Sequence, residues 1–289
     1  MDDIDWERTV FALIAPDALA RHLGGTVLDR IEAAGYRPVA WQSIWHRPAD
    51  LDFFHAQHIE HAWQTYLYRL VDQLFAFGPT IALLVADERQ AGAENSYHRL
   101  RKAKGASEPA EAGPGTIRGD LGSTNVMLAL MHSSDTVADA QRESSVFFGP
   151  GGVTRGADPQ ELRNLIAMLE MTGQAERRGY REVLAGLRAR MLAAAWDELP
   201  RPVRKTAEAM LEAGVDGLAG SGSGDRLADM LREAHPLTAA LRAEFTPSSP
   251  GPEPERVQNL LRTYGTGLDP WEALVLATSR RFPPRGAAA

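Results

Sequence analysis

Cysteine is absent from the 289 residues. Its absence excludes a disulfide framework and any thiolate metal centre, and lends no support to a secreted origin. Long apolar runs are missing too, and no stretch approaches the ~20 residues of a membrane-spanning helix. The opening MDDIDWERT is acidic and lacks the positive and apolar regions of a signal peptide. The expectation is a soluble, cytoplasmic chain with no membrane partner. An excess of positive charge is also lacking. The formal charge of −7 argues against general nucleic-acid affinity and leaves only local basic sites. What is present is ordinary: 44% hydrophobic and 24% charged residues suit a globular protein of one large or two medium domains.

The first half alternates strand and helix signals. Thr9 to Ile14 is a short apolar run ending at Pro16-Asp17, as for a buried strand. Leu19, Leu23, Val27 and Ile31 fall four apart on a helix opened by Asp17, and Gly35 sits where a C-terminal cap belongs. Tyr36 to Trp45 reads as a second strand, Leu51 to Phe77 as a helix, and Thr80 to Val85 as a third, wholly apolar strand. A helix over Glu94–Lys104 and a loop over Gly105–Gly122 follow. Val126–Met131 is read as a fourth strand, and Thr136–Phe148 as a helix that Asp135 caps. The order predicts an α/β (α+β) layer of one sheet with packed helices.

Beyond Gly149-Pro150-Gly151-Gly152 strand signal almost vanishes. This breaker cluster sets the expected boundary, with domains at 1–150 and 151–289. The second is read as all-helical. Its helices run from Asp158-Pro159 to Met171, Gln174 to Leu199, Pro202 to Ala213, Asp225 to Phe245, Pro254 to Thr263 and Pro270 to Arg281. Gly217–Gly224 has flexible-linker composition, and TPSSPGPEPE at 246–255 reads as a stiffer connector.

Chemistry concentrates in Arg101–Glu143. Arg101 and Arg118 bracket a Gly- and Pro-rich loop, and an apolar run then delivers His132 into the polar turn Ser133-Ser134-Asp135. Arginine forks hold phosphate bidentately, and an imidazole between them can serve as nucleophile or proton carrier.

These residues resemble the active-site half of the nucleoside diphosphate kinase family. The likeness rests on GASEP at 105–109, PGTIRGD at 114–120, HSSD at 132–135 and RE at 142–143, with ERTVFALIAPDALAR at 7–21 similar to the family's first strand and helix. The resemblance covers about residues 5–150. It implies a ferredoxin-like four-stranded antiparallel sheet, which periodicity alone does not choose, joined here to an all-helical C-terminal domain. It also implies ping-pong phosphoryl transfer through a phosphohistidine at His132, with Glu143 as its carboxylate partner and Ser134 beside it. Arg101, Arg118 and Ser107 correspond to the family's phosphate contacts. Trp63 stands at the base-stacking aromatic, where core packing is an equal alternative, and His58 matches a family histidine. Asp120 is structural or functional. Mg²⁺ is expected to arrive on the nucleotide's phosphates rather than in a protein cage. Nucleoside tri- and diphosphates are the implied partners, with a homo-oligomer as the implied assembly.

Three departures stand against this pattern. Ala15 occupies the place of a family lysine, His55 that of a tyrosine, and Ala129 that of an asparagine. One extra residue between Asp120 and His132 slips the match, so Asn125 is a candidate stand-in for that asparagine. Three functions fit: an active kinase-like phosphotransferase, a catalytically impaired nucleotide-binding module, or a phosphohistidine transferase with a non-nucleotide acceptor. His55, His58 and His61 recur every three residues, but no carboxylate stands at metalloprotease spacing, so a solvated helix start accounts for them better than zinc.

Overall fold

A computed structural model of the chain describes residues 4–46, 65–89, 94–148, 158–172, 178–232, 235–245 and 254–283. The two wholly apolar runs become the central strands of one sheet. They are β1 (Thr9–Ile14) and β3 (Thr80–Asp87), flanked by β2 (Tyr36–Ile44) and β4 (Met131–Ser133) in the order β2-β3-β1-β4. Every pairing is antiparallel, with Phe11 opposite Leu84 and Leu13 opposite His132. This is the expected ferredoxin-like sheet. All six residues of β1 are buried, so both of its faces are covered, which explains an apolar run without alternation. β2 lies at an edge and tolerates Pro38, where the register shifts before Ala40.

The helices of this unit are α1 (Pro16–Ala20), α2 (Gly24–Ala33), α3 (Thr65–Phe77), α4 (Ser96–Lys104), α5 (Ile117–Asp120) and α6 (Val137–Phe148). Asn95 caps α4 by accepting from the Tyr97 and His98 N–H groups. From α6, Phe147 stacks on Phe11 at 5.2 Å and Phe148 meets it edge-on at 6.4 Å. Gly35, at φ 89°, ends α2 with its N–H on the Glu32 carbonyl, as its position predicts.

Four local expectations are corrected. The helix from Asp17 is two helices, because His22 turns left-handed at φ 55° between them. The loop over Gly105–Gly122 contains α5 and a 3₁₀ turn at Pro109–Glu111. The fourth strand is not Val126–Met131 but Met131–Ser133. Asn125 diverts the backbone first, its Oδ1 accepting from the N–H groups of Met127 and Leu128, each at 2.9 Å. Finally, Thr136 rather than Asp135 caps α6, accepting from the Asp139 N–H at 3.1 Å.

The chain forms two compact units, Met1–Arg177 and Arg178–Ala289. The first therefore runs past the boundary expected at 150. Its added helix α7 (Pro159–Thr172) sends Leu162 and Ile166 into the same core as β1 and α2. Glu170 accepts from the Gly24 N–H at 2.7 Å, and Arg163 bonds Asp29 and Glu32 of α2. A Cβ on Gly24 would lie 2.7 Å from Leu19 Cδ2, so a side chain there would require Leu19 to move.

The second unit is helical, as expected: α8 (Tyr180–Ala194), α9 (Arg201–Glu212), α10 (Gly214–Ala219), α11 (Ser223–Met230), α12 (Pro236–Phe245), α13 (Pro254–Thr263) and α14 (Pro270–Arg281). Leu187, Met191, Met210, Leu227, Leu241 and Leu261 build its core. The linker reading of Gly217–Gly224 fails here. Gly217 lies within α10, where a Cβ would sit 2.2 Å from the Met210 carbonyl oxygen, so its glycine serves close packing rather than flexibility. Asp269 and Glu272 form a full capping box on α14, and buried Glu272 also accepts from Arg178 and Arg190 at 2.8 Å each. The clusters at 149–152 and 246–253 lie outside the described residues. No described helix is long and apolar enough to cross a membrane.

Candidate active site

β4 is a short edge strand held by β1 along Ala12–Ile14, and it carries His132. The imidazole is a third exposed, with 37% of its side chain accessible, while Glu143 on α6 is buried. His132 Nε2 lies 2.9 Å from Glu143 Oε2, and Ser134 Oγ donates to the same oxygen at 2.5 Å. Arg142 Nη2 reaches the other carboxylate oxygen at 3.2 Å and Asp139 at 3.3 Å. A carboxylate so held fixes the ring and favours the proton on Nε2, which places the lone pair on Nδ1. The arrangement is that of an oriented imidazole with a half-open face. It can act as a nucleophile.

Backbone geometry supports this placement. Leu130 adopts φ 68°, a rare conformation for a branched side chain. Its N–H donates to buried Asp17 Oδ2 at 3.0 Å, and its carbonyl accepts from the Ala15 N–H at 3.0 Å. Burial pushes the Asp17 carboxyl up to about 6, against the lowering effect of the Leu130 N–H.

A family model described as nucleoside diphosphate kinase matches residues 7–153. The nucleoside diphosphate kinase of Archaeoglobus fulgidus is 37% identical over 142 residues, covering 49% of this chain and 86% of that protein. That of Thermobifida fusca is 36% identical, over 49% of this chain and 96% of its own length. A solved nucleoside diphosphate kinase from Encephalitozoon cuniculi superposes with a TM-score of 0.43 at 22% identity, covering 54% of this chain and 98% of that one. The chain belongs to the nucleoside diphosphate kinase family.

The residues that the family resemblance singles out fare differently. Arg101 is exposed on α4, with no side-chain hydrogen bond among the described residues, and lies three residues before Lys104 on one helix face. Ser107 is exposed and accepts from Arg118 Nη1 at 2.9 Å. Arg118 is not an open clamp. It is buried and braces the loop to the histidine strand, donating to the carbonyls of Ala129 (3.1 Å), Gly105 (3.1 Å) and Met131 (2.7 Å). Asn125 spends its carbonyl on the local turn, so that oxygen does not stand in for the family asparagine. Asp120 ties down the loop by accepting from the Gly115 N–H and from Arg30, at 2.8 and 2.7 Å. Ala15 abuts Leu130, two residues before the histidine, and brings no charge there. His55, His58, His61 and Trp63 lie outside the described residues.

One charged residue escaped the sequence reading. Lys104 is buried, and its Nζ donates to Ser133 Oγ at 2.9 Å and to the Ser133 carbonyl at 3.3 Å. It ties α4 to the strand of His132. The only hint is spacing, since Lys104 follows buried Leu100 by one helical turn. Burial pushes its ammonium down to about 8, Arg118 adds to this, and Asp135 and Glu143 oppose it. Between pH ~8 and ~10.5 the unfolded chain holds a proton that the folded chain has released, so stability rises with pH across that window. The gain is on the order of 3 kcal/mol at most. Urea titrations at pH 7.5 and 10 should show this rise in the native chain, relative to Lys104→Met, which should lack it.

Proposed function

We propose that the first unit transfers the terminal phosphoryl group of a nucleoside triphosphate to a nucleoside diphosphate through His132. The observation that carries this reading is the His132–Glu143–Ser134 cluster on an edge strand, in a chain of this family. His132 Nδ1 attacks the γ-phosphorus, a P–N bond forms, and the bond to the β,γ-bridging oxygen breaks. The diphosphate leaves with that electron pair. Nε2 keeps its proton and donates it to Glu143, whose negative charge stabilises the positive charge that develops on the ring. A second diphosphate then takes the phosphoryl group by the reverse step. Arg101 and Ser107 contact the phosphates, with Arg118 holding Ser107 in place. Mg²⁺ enters as part of the nucleotide substrate.

Incubation with γ-labelled ATP tests this reading. Acid-labile label on His132 that chases onto a nucleoside diphosphate is the expected result. Label that chases only onto another small molecule would favour a non-nucleotide acceptor. Ala15 favours a second reading, an impaired nucleotide-binding module, because the neighbour of Leu130 carries no cation. Nucleotide binding without any label would support that module instead.

The same alanine gives a gain-of-function prediction. Ala15→Lys returns a cation to the strand turn beside Leu130 and should raise the rate of phosphohistidine formation by ~10²-fold. Rapid-quench labelling measures it, and an unchanged rate would show that another group already supplies the charge. Self-association is part of the proposal on family membership alone, and sedimentation equilibrium reads it directly.

A further inference from the structure

A cleft of about 580 Å³ lies apart from the His132 cluster, and none of that cluster's residues lines it. Its size falls in the range of small-molecule sites, roughly 300–1,000 Å³. Its walls carry Arg30, Arg89, Arg99 and Lys102 against one acid, Glu94. Two of these cations are neutralised. Arg30 pairs with Asp120 at 2.7 Å, and Arg99 pairs with buried Asp87 while donating to the Glu94 carbonyl at 2.6 Å. Arg89 and Lys102 are exposed and make no side-chain hydrogen bond or ion pair among the described residues. The Glu94 carboxylate is engaged by His98 Nδ1 at 2.9 Å. Arg89 and Lys102 are thus two cations without a paired acid among the described residues, facing one carboxylate, that of Glu94.

The backbone of Arg89 is anchored at the cleft. Its N–H donates to Asp87 Oδ1 at 3.1 Å, and its carbonyl accepts from Arg8. Its side chain lies across Gly35, where a Cβ would approach Arg89 Nε to 2.6 Å. Arginine and lysine together suit phosphate oxygens, the first as a fork and the second as a point charge.

We propose that this cleft binds a small polyanion bearing phosphate groups, through Arg89 and Lys102, independently of the His132 site. The proposal does not rest on phosphoryl transfer, and a chain that never labels at His132 leaves it intact. Inorganic pyrophosphate is the probe, titrated calorimetrically into the full-length protein at low salt. Native protein should bind it, and Arg89→Gln/Lys102→Gln should weaken that step at least ~10-fold, since both charge-assisted contacts are lost. His132→Gln/Arg101→Gln should keep it. Both cleft side chains are exposed, so circular dichroism should show native folding, and Lys102→Gln alone gives a second, smaller loss if the double variant misfolds. No binding by the native protein, an unchanged isotherm in the cleft variants, or loss of all binding in His132→Gln/Arg101→Gln would each overturn the assignment.

Discussion

His132→Gln should abolish the acid-labile phosphoprotein and lower nucleotide-to-nucleotide transfer by ~10³-fold or more, the scale seen when a catalytic unit loses its nucleophile. The substitution leaves Glu143 buried but still bonded by Ser134 at 2.5 Å and Arg142 at 3.2 Å, so the carboxylate keeps partners and the fold should survive. Binding and chemistry then separate. Nucleotide affinity, measured by equilibrium dialysis, should change little because Arg101 and Ser107 are untouched. Transfer persisting in this variant would move the chemistry to another residue and sink the proposed mechanism. Glu143→Gln should give a smaller loss, because the amide fixes the ring less strongly than a carboxylate does.

Arg118→Met should cost stability rather than chemistry first. The native guanidinium satisfies three carbonyls and the Ser107 hydroxyl from a buried position. Methionine fills comparable space but donates nothing, which strands the carbonyls of Gly105, Ala129 and Met131 away from water. Removing one side of such a buried network typically costs ~3–5 kcal/mol. A drop of that order in unfolding free energy, read from urea midpoints, is the expected outcome. A loss below about 1 kcal/mol would show that water replaces the arginine readily. That result would return Arg118 to the role of an accessible phosphate contact.

The sheet was legible where burial is two-sided. Residues 10–14 and 81–86 are apolar without interruption because β1 and β3 are covered on both faces. β4 was misplaced because its apolar run serves a turn first. Asn125 captures two backbone N–H groups and Leu130 goes left-handed, and neither event is visible in hydrophobic periodicity. His132, Glu143 and Ser134 were readable through family motifs, and the structure joins all three within hydrogen-bond reach. Arg118 shows the limit of that method, since a motif names a residue but not the oxygens it faces. Lys104 shows the opposite limit, because a lysine in RKAKG looks like any solvated helix end until its burial is seen. The glycines at 217 and 220 misled for a related reason. Composition does not distinguish a glycine that frees the chain from one that lets two backbones touch.

Helix α7 follows the stretch that the family model covers, yet supplies Leu162 and Ile166 to the first core. During synthesis, the surface of α2 that receives these side chains stays uncovered until α7 has left the ribosome, although every strand of the sheet emerges earlier. Closure of the first unit therefore waits on a segment that the family motifs do not contain.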